Sequence, residues 1–166
     1  MSSILFIQVL ALGLIHNILL ITIFFKRKRV INNDYSPLKP IGVSYAILTS
    51  FLSVSSLIVA VVFKEDIQTL IFLLIFIGFV ALEITLEFIL KIDFRNDWRY
   101  LVPYLALYYM SNYSAVMLVW ERSMPFGILI LVLFICQIVV NTWSHKKIKL
   151  RKNGKKQASE TPSIIQ

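Results

Sequence analysis

The sequence predicts an all-helical, multi-pass integral membrane protein with five transmembrane helices, its N-terminus outside and its C-terminus in the cytoplasm. Of its 166 residues, 58% are hydrophobic and only 16% are charged, whereas soluble domains carry about 25% charged residues. Apolar runs of membrane length recur along the chain, and most basic residues fall on one side of them. The composition therefore excludes a water-soluble globule.

Five apolar runs come close to the roughly 20 residues that a helix needs to cross a bilayer. They cover residues 4–25, 41–63, 67–90, 100–120 and 125–143. The fourth run contains Pro103 and several polar residues, yet Trp98 and Trp120 bracket it like an interfacial aromatic belt. Proline is tolerated there because it falls in the first helical turn. We therefore expect a transmembrane domain over 1–145 and a basic, disordered tail over 146–166.

The distribution of basic residues predicts the orientation, because Lys and Arg accumulate in short cytoplasmic loops. With five spans, 15 of the 17 basic residues lie in the first loop, the third loop and the tail, and only Lys64 and Arg122 lie opposite. We therefore expect a protein of the cell membrane with its basic loops and tail in the cytoplasm. The net charge of +8 then reflects orientation and contact with lipid. Nucleic-acid binding is disfavoured, because no folded nucleic-acid-recognition domain accompanies the basic residues.

The tail begins with a dense basic run directly after the last span. Its headgroup-binding candidates are Lys146, Lys147, Lys149, Arg151 and Lys152. A basic segment beside a helix end is attracted to anionic headgroups by about 1 kcal/mol per nearby residue. We expect membrane lipids as partners, and the sequence leaves open a homo-oligomer or a larger membrane complex.

The second span carries a stripe of small residues at helical spacing. The stripe consists of Gly42, Ala46, Thr49, Ser53, Ser56 and Ala60. Small residues let helices approach closely in lipid, and Ser and Thr can add hydrogen bonds between helices. We expect a tight helix contact here, and the alternative is a path lined by hydroxyl groups.

Two acidic residues lie within the third span. Glu83 and Glu87 are four residues apart, which places them on one face of an α-helix. Ionisable groups within a membrane are costly and usually functional. A pair of carboxyl groups that shares a proton suits a proton carrier or a cation site, so these two residues are the leading candidates for coupling.

Other polar residues fall at a depth similar to that of Glu83. They are His16 and Asn17 in the first span, Thr49 in the second, and Gln137 and Asn141 in the fifth. If these faces converge, they form a cavity that opens to the cytoplasm, where His16 and Glu83 could exchange a proton. The alternative is that they serve as hydrogen-bonding links between helices.

Tyrosines dominate the fourth span, with Tyr104 and Tyr108 on one face. They predict either an aromatic wall for a lipid-like or cationic ligand, or packing tyrosines whose hydroxyl groups find partners.

Three functions remain open at this stage. The leading hypothesis is a transporter or permeation protein, or a membrane subunit of one, in which Glu83 and Glu87 couple proton or cation movement. The second is a membrane enzyme that acts on a lipid or prenyl substrate at the cytoplasmic interface, with Glu83, Glu87 or Asp93 as acid or base. The third is a non-catalytic scaffold. The sequence identifies no catalytic motif, no cofactor and no ligand spacing specific to a metal.

Overall fold

The computed structural model describes residues 1–29, 39–90 and 97–160, with side chains except at 27–29, 39, 88 and 144–160. Five α-helices form in this part of the chain, and no strand does. They are α1 (Ser3–Arg29), α2 (Lys39–Val62), α3 (Ile67–Ile84), α4 (Trp98–Trp120) and α5 (Met124–Glu160). A π-helical turn, Thr85–Ile89, follows α3 directly. The all-helical prediction is therefore confirmed for the described residues.

Four of these helices are long and apolar enough to cross a membrane. The segments are Ser3–Lys26, Pro40–Val62, Ile67–Glu87 and Met124–Trp143. Helix α4 has 23 residues, a length of about 34 Å at 1.5 Å per residue, which matches a hydrocarbon core of about 30 Å. It is less apolar because it carries Ser111, Asn112 and Ser114, all of which are buried against other helices. Its polarity therefore belongs to the interior of the bundle.

The five helices close into a ring. Each helix packs against its neighbours in the chain, α1 also packs against α5, and α1 contacts α4 across the ring. Ser2 donates its backbone N–H to Glu65, and the Gln68 amide donates to Glu121 at 3.0 Å. The start of α1 and the two short turns therefore lie together, at what we call the hairpin end. The opposite end, formed by Lys26, Pro40, Leu90 and Trp98, is called the basic end.

The two halves of the bundle differ in character. In the hairpin half, the buried core is purely aliphatic and consists of Leu5, Val9, Ala60, Leu73, Val116, Leu118, Val119 and Ile130. In the basic half, aromatic rings dominate, among them Tyr45, Phe76, Phe79, Tyr104 and Tyr108. Among the described residues, the buried tyrosines therefore lie in the basic half.

Local capping fixes where α3 and α4 begin. Asp66 accepts a hydrogen bond from the Thr69 backbone N–H at 3.3 Å and another from the Thr69 hydroxyl at 2.6 Å. Asp97 accepts one from the Arg99 backbone N–H at 3.0 Å. Such caps satisfy N–H groups that have no partner within the helix. The start of α3 in turn sets the depth at which Glu83 lies.

Helix α5 extends beyond the predicted fifth span. It continues through residues 146–160, for which the sequence predicts disorder, and only 161–166 of the predicted tail lie outside the described residues. Lys, Arg, Gln, Ala and Glu are good helix formers, and proline first occurs at Pro162. The candidate headgroup-binding lysines and arginines thus continue a helix, although their side chains are outside the described part.

Gly127 is required where α5 turns back against α4. A Cβ atom at this position would lie 2.8 Å from Cα and 2.9 Å from Cβ of Trp120. Because the obstacle includes backbone, we expect Gly127→Ala to cost about 1–3 kcal/mol of stability, the usual effect of overpacking. A lower melting temperature of the purified protein in detergent would confirm this. Gly78→Ala is the matched control, since nothing lies within 4 Å of the added carbon, and equal melting temperatures for the two variants would contradict the prediction.

Candidate functional site

Glu83 lies in the last turn of α3, inside the bundle. Its side chain is only 5% exposed, and six residues separate it from Ile89 at the basic end, a depth of roughly 10 Å. The ring of helices brings α1, α2 and α4 around α3, either directly or through a shared neighbour. A carboxyl group at this depth therefore depends on side chains from other helices for hydrogen bonds.

Two tyrosines lie beside Glu83, and one of them donates a hydrogen bond to it. The Tyr104 hydroxyl on α4 donates to Glu83 Oε1 at 3.4 Å. The Tyr45 hydroxyl on α2 lies 3.0 Å from His16 Nδ1 on α1, and Tyr45 lies near Glu83. We call these four residues, His16, Tyr45, Glu83 and Tyr104, the Glu83 network. It links four of the five helices.

The Glu83 network permits two arrangements of protons. In the first, the Glu83 carboxyl O–H donates to Tyr45, and the Tyr45 O–H donates to His16 Nδ1. In the second, Glu83 is a carboxylate that accepts from Tyr45, and protonated His16 donates from Nδ1 to the Tyr45 oxygen. Shifting one proton from Glu83 to Tyr45 and one from Tyr45 to His16 converts the first into the second. The position of Tyr45 between Glu83 and His16 is therefore compatible with a short proton relay.

Aromatic rings surround the network. The His16 ring meets Phe76 edge-on at 5.0 Å and Phe79 at 5.8 Å. Phe79 also contacts Tyr104 at 5.6 Å, and Tyr104 stacks on Tyr108 at 6.4 Å. Packed rings hold the polar side chains in position and exclude lipid from them. Tyr104 and Tyr108 therefore have different roles, one within the network and the other in its aromatic wall.

Glu87 differs from Glu83 in its exposure, although their spacing predicts a shared face. Glu83 is buried, whereas Glu87 is exposed. Glu87 lies one turn nearer the basic end, in the π-helical turn in which the Leu90 N–H bonds to the carbonyl of Thr85, five residues back. The two carboxyl groups consequently occupy different environments.

The remaining predicted polar residues are buried to different degrees. Asn17, Thr49 and Gln137 are fully buried, and Asn141 is half-buried. Asn17 donates its amide to the Gly13 carbonyl at 2.9 Å, and Thr49 donates to the Tyr45 carbonyl at 2.7 Å. Thr49 thus braces the helix segment that holds Tyr45. None of these hydrogen bonds passes from one helix to another.

The small-residue stripe of α2 faces the bundle. Thr49, Ser53, Ser56 and Ala60 are buried, and Gly42 and Ala46 are half-buried. The Ser53 hydroxyl donates to the Ser50 carbonyl in its own helix at 3.1 Å, as Thr49 does to Tyr45. The hydroxyl groups of Thr49 and Ser53 thus donate to the backbone of α2 itself.

Tyr45 is the one member of the network that the sequence reasoning missed. It lies one turn before Thr49 and therefore on the same face of α2 as the small-residue stripe. A single tyrosine among small residues on an inward face was the available signal. Tyr45 could thus have been noticed as a large residue with a hydroxyl group on a helix face of small residues.

Comparisons with known proteins add no further assignment. No protein family, no curated protein and no solved structure matches this chain. Among the residues that the structure describes, no group of three His, Cys, Asp or Glu side chains is placed to hold a metal ion. The Glu83 network is therefore the candidate functional site of the described residues.

Proposed function

We propose that this chain is a five-span protein of the cell membrane that moves protons, as a small transporter or permeation protein or as the membrane subunit of one. Glu83 is the proton-carrying group, and Tyr45 and His16 receive its proton. The observation that carries the proposal is the buried position of Glu83, 5% exposed, near a Tyr45 hydroxyl that lies 3.0 Å from His16 Nδ1.

The cost of burying an acid supports a functional role over a purely structural one. Hydrogen bonds that hold membrane helices together need only Ser, Thr, Asn or Gln, which occur elsewhere in this bundle. A carboxyl group adds an ionisable centre that the membrane penalises. Its direct partners are a phenol and, beyond it, an imidazole, and both exchange protons more readily than an amide does.

The asymmetry of the core supports access from the basic end. Roughly 10 Å separates Glu83 from that end, whereas the aliphatic core of the hairpin half lies between Glu83 and the hairpin end. We propose that protons reach Glu83 from the cytoplasm through the basic end. Release on the other side then requires the aliphatic layer to open, in the manner of alternating access.

The proposal includes an orientation with five crossings, which residue labelling can test. In a Cys136→Ser background, single cysteines replace Lys64 and Arg122 at the hairpin end and Lys26 and Arg99 at the basic end. We expect an impermeant maleimide to label positions 64 and 122 on intact cells and positions 26 and 99 only after permeabilisation. If α4 does not cross the membrane, position 122 becomes accessible from the inside only.

Reconstitution tests the activity itself. Purified protein is placed in liposomes that contain a pH-sensitive dye, and a pH gradient is imposed across the membrane. We expect the gradient to collapse faster than in protein-free liposomes, because the Glu83 network offers protons a path through the bundle. Equal rates in the two preparations would contradict the proposed function and favour the scaffold or enzyme alternatives.

A further inference from the structure

A second cluster of buried polar side chains lies where α1, α4 and α5 meet. It consists of Asn17, Tyr108 and Gln137, which are 0%, 4% and 0% exposed. These helices pack against one another in all three pairings. The cluster shares no member with the Glu83 network. We call it the α1–α4–α5 junction.

The polar atoms of this junction lack hydrogen-bond partners among the described residues. They include both amide atoms of Gln137, the Tyr108 hydroxyl and Oδ1 of Asn17. An unpaired buried polar group is costly, and such groups in proteins generally bind ordered water or another ligand. Three of them on three adjacent helices indicate a binding site more than an isolated defect.

The register of the helices places the three side chains at a similar height. Phe6 contacts Phe126 at 6.2 Å, and Gly13 approaches Ile130 so closely that a Cβ would lie 2.7 Å from its Cδ1. α1 and α5 therefore run in parallel. Asn17 lies one turn beyond Gly13, and Gln137 lies two turns beyond Ile130, so their heights differ by about one helical turn.

A contact with Phe134 shows the height of Tyr108, the third residue of the junction. It lies between Ile130 and Gln137 on α5, and its ring is 6.0 Å from the ring of Tyr108. Tyr108 is therefore at the same level of the α4–α5 contact. The unpartnered hydroxyl of Tyr108 and the unpartnered amide of Gln137 belong to one narrow layer of the bundle.

The chemistry of the layer defines its ligand. Gln137 offers two N–H donors and a carbonyl acceptor, Tyr108 offers a hydroxyl that donates and accepts, and Asn17 offers an acceptor. None of these groups is charged. The ligand must both donate and accept hydrogen bonds, carry no charge and fit between closely packed helices. We propose that the α1–α4–α5 junction binds internal water through Gln137, Tyr108 and Asn17.

This hydration has a consequence for the relay. His16 precedes Asn17, and its Nε2 atom is also buried without a partner among the described residues. Water at this atom would accept the Nε2 proton while Nδ1 receives one from Tyr45, and the imidazole would be neutral before and after. That consequence rests on the proposed function, whereas hydration of the junction does not.

Nuclear magnetic resonance of the ¹⁵N-labelled full chain in nanodiscs tests the hydration directly. Gln137→Met identifies the side-chain amide signal of Gln137. We expect a cross-peak between this amide and the water resonance, and we expect it to persist in Tyr108→Phe, which removes exchange through the phenol. The exposed amide of Gln68 serves as the hydrated control, and the methyl groups of buried Val119 serve as the dry control.

Two results would overturn the proposal. One is the absence of a water cross-peak at the Gln137 amide when the Gln68 amide gives a clear one. A cross-peak from the Gln137 amide to lipid chains in place of water counts as the same result. The other is a rise in melting temperature in Gln137→Met, because removing an unpaired amide from a dry site stabilises a protein. Neither result depends on whether the protein moves protons.

Discussion

Glu83→Gln is expected to reduce proton flux in liposomes to the rate of protein-free liposomes while the protein remains folded. The glutamine amide has nearly the size of the carboxyl group and can still hydrogen-bond with Tyr104. It cannot release or accept a proton in the relay. The melting temperature of the variant, measured beside the flux, separates loss of the carrier from loss of the fold.

Glu87→Gln is the matched control for this prediction. It changes the same atoms only four residues further along, on an exposed side chain of the π-helical turn. We expect it to retain most of the wild-type flux. Full flux in Glu83→Gln would remove Glu83 from the mechanism. Equal losses in both variants would indicate a general effect of acidic groups at the basic end.

Tyr45→Phe is expected to lower the proton flux at least about tenfold, the lower range of what a positioned proton-transfer group contributes. The substitution removes only the hydroxyl between His16 and Glu83, while the ring that lies 5.8 Å from the His16 ring remains. It also leaves His16 Nδ1 without this partner, which costs about 1–3 kcal/mol of stability. Flux is therefore measured at a temperature at which both proteins are folded.

Tyr109→Phe provides the control for Tyr45→Phe, because its side chain is 48% exposed and lies outside the Glu83 network.

A double variant that combines Tyr45→Phe with Glu83→Gln distinguishes a proton relay from an effect on packing. If Tyr45 acts through Glu83, Tyr45→Phe lowers the flux of the wild type but not the residual rate of Glu83→Gln. Unchanged flux in the single variant would leave the His16–Tyr45 contact as a link between α1 and α2 and nothing more.

Much of the architecture could be predicted from sequence because the membrane limits the choices. Long apolar runs leave few alternatives to helices, and the four segments with the strongest runs have the length and composition of spans. Glu83 and His16 are conspicuous for the same reason, since a polar residue within an apolar run stands out without any knowledge of its neighbours. Their burial in the bundle agrees with that reasoning.

The partners of these residues could not be predicted in the same way. Which helix faces Glu83 depends on the order of helices in the ring, and residue spacing contains no information on that order. The π-helical turn that contains Glu87 could not be predicted either, because a period of 3.6 residues does not anticipate a widened turn. Tyr45 was missed because tyrosine is an ordinary packing residue until its hydroxyl meets another helix.

The central claim is that Glu83 exchanges a proton within the bundle. Infrared difference spectroscopy of the reconstituted protein measures this directly, through the C=O stretch of a protonated carboxyl group as the pH changes. We predict a titrating carboxyl band that is present in wild type and Glu87→Gln, absent in Glu83→Gln, and altered in frequency in Tyr45→Phe. A band pattern that is the same in wild type and Glu83→Gln would contradict the claim.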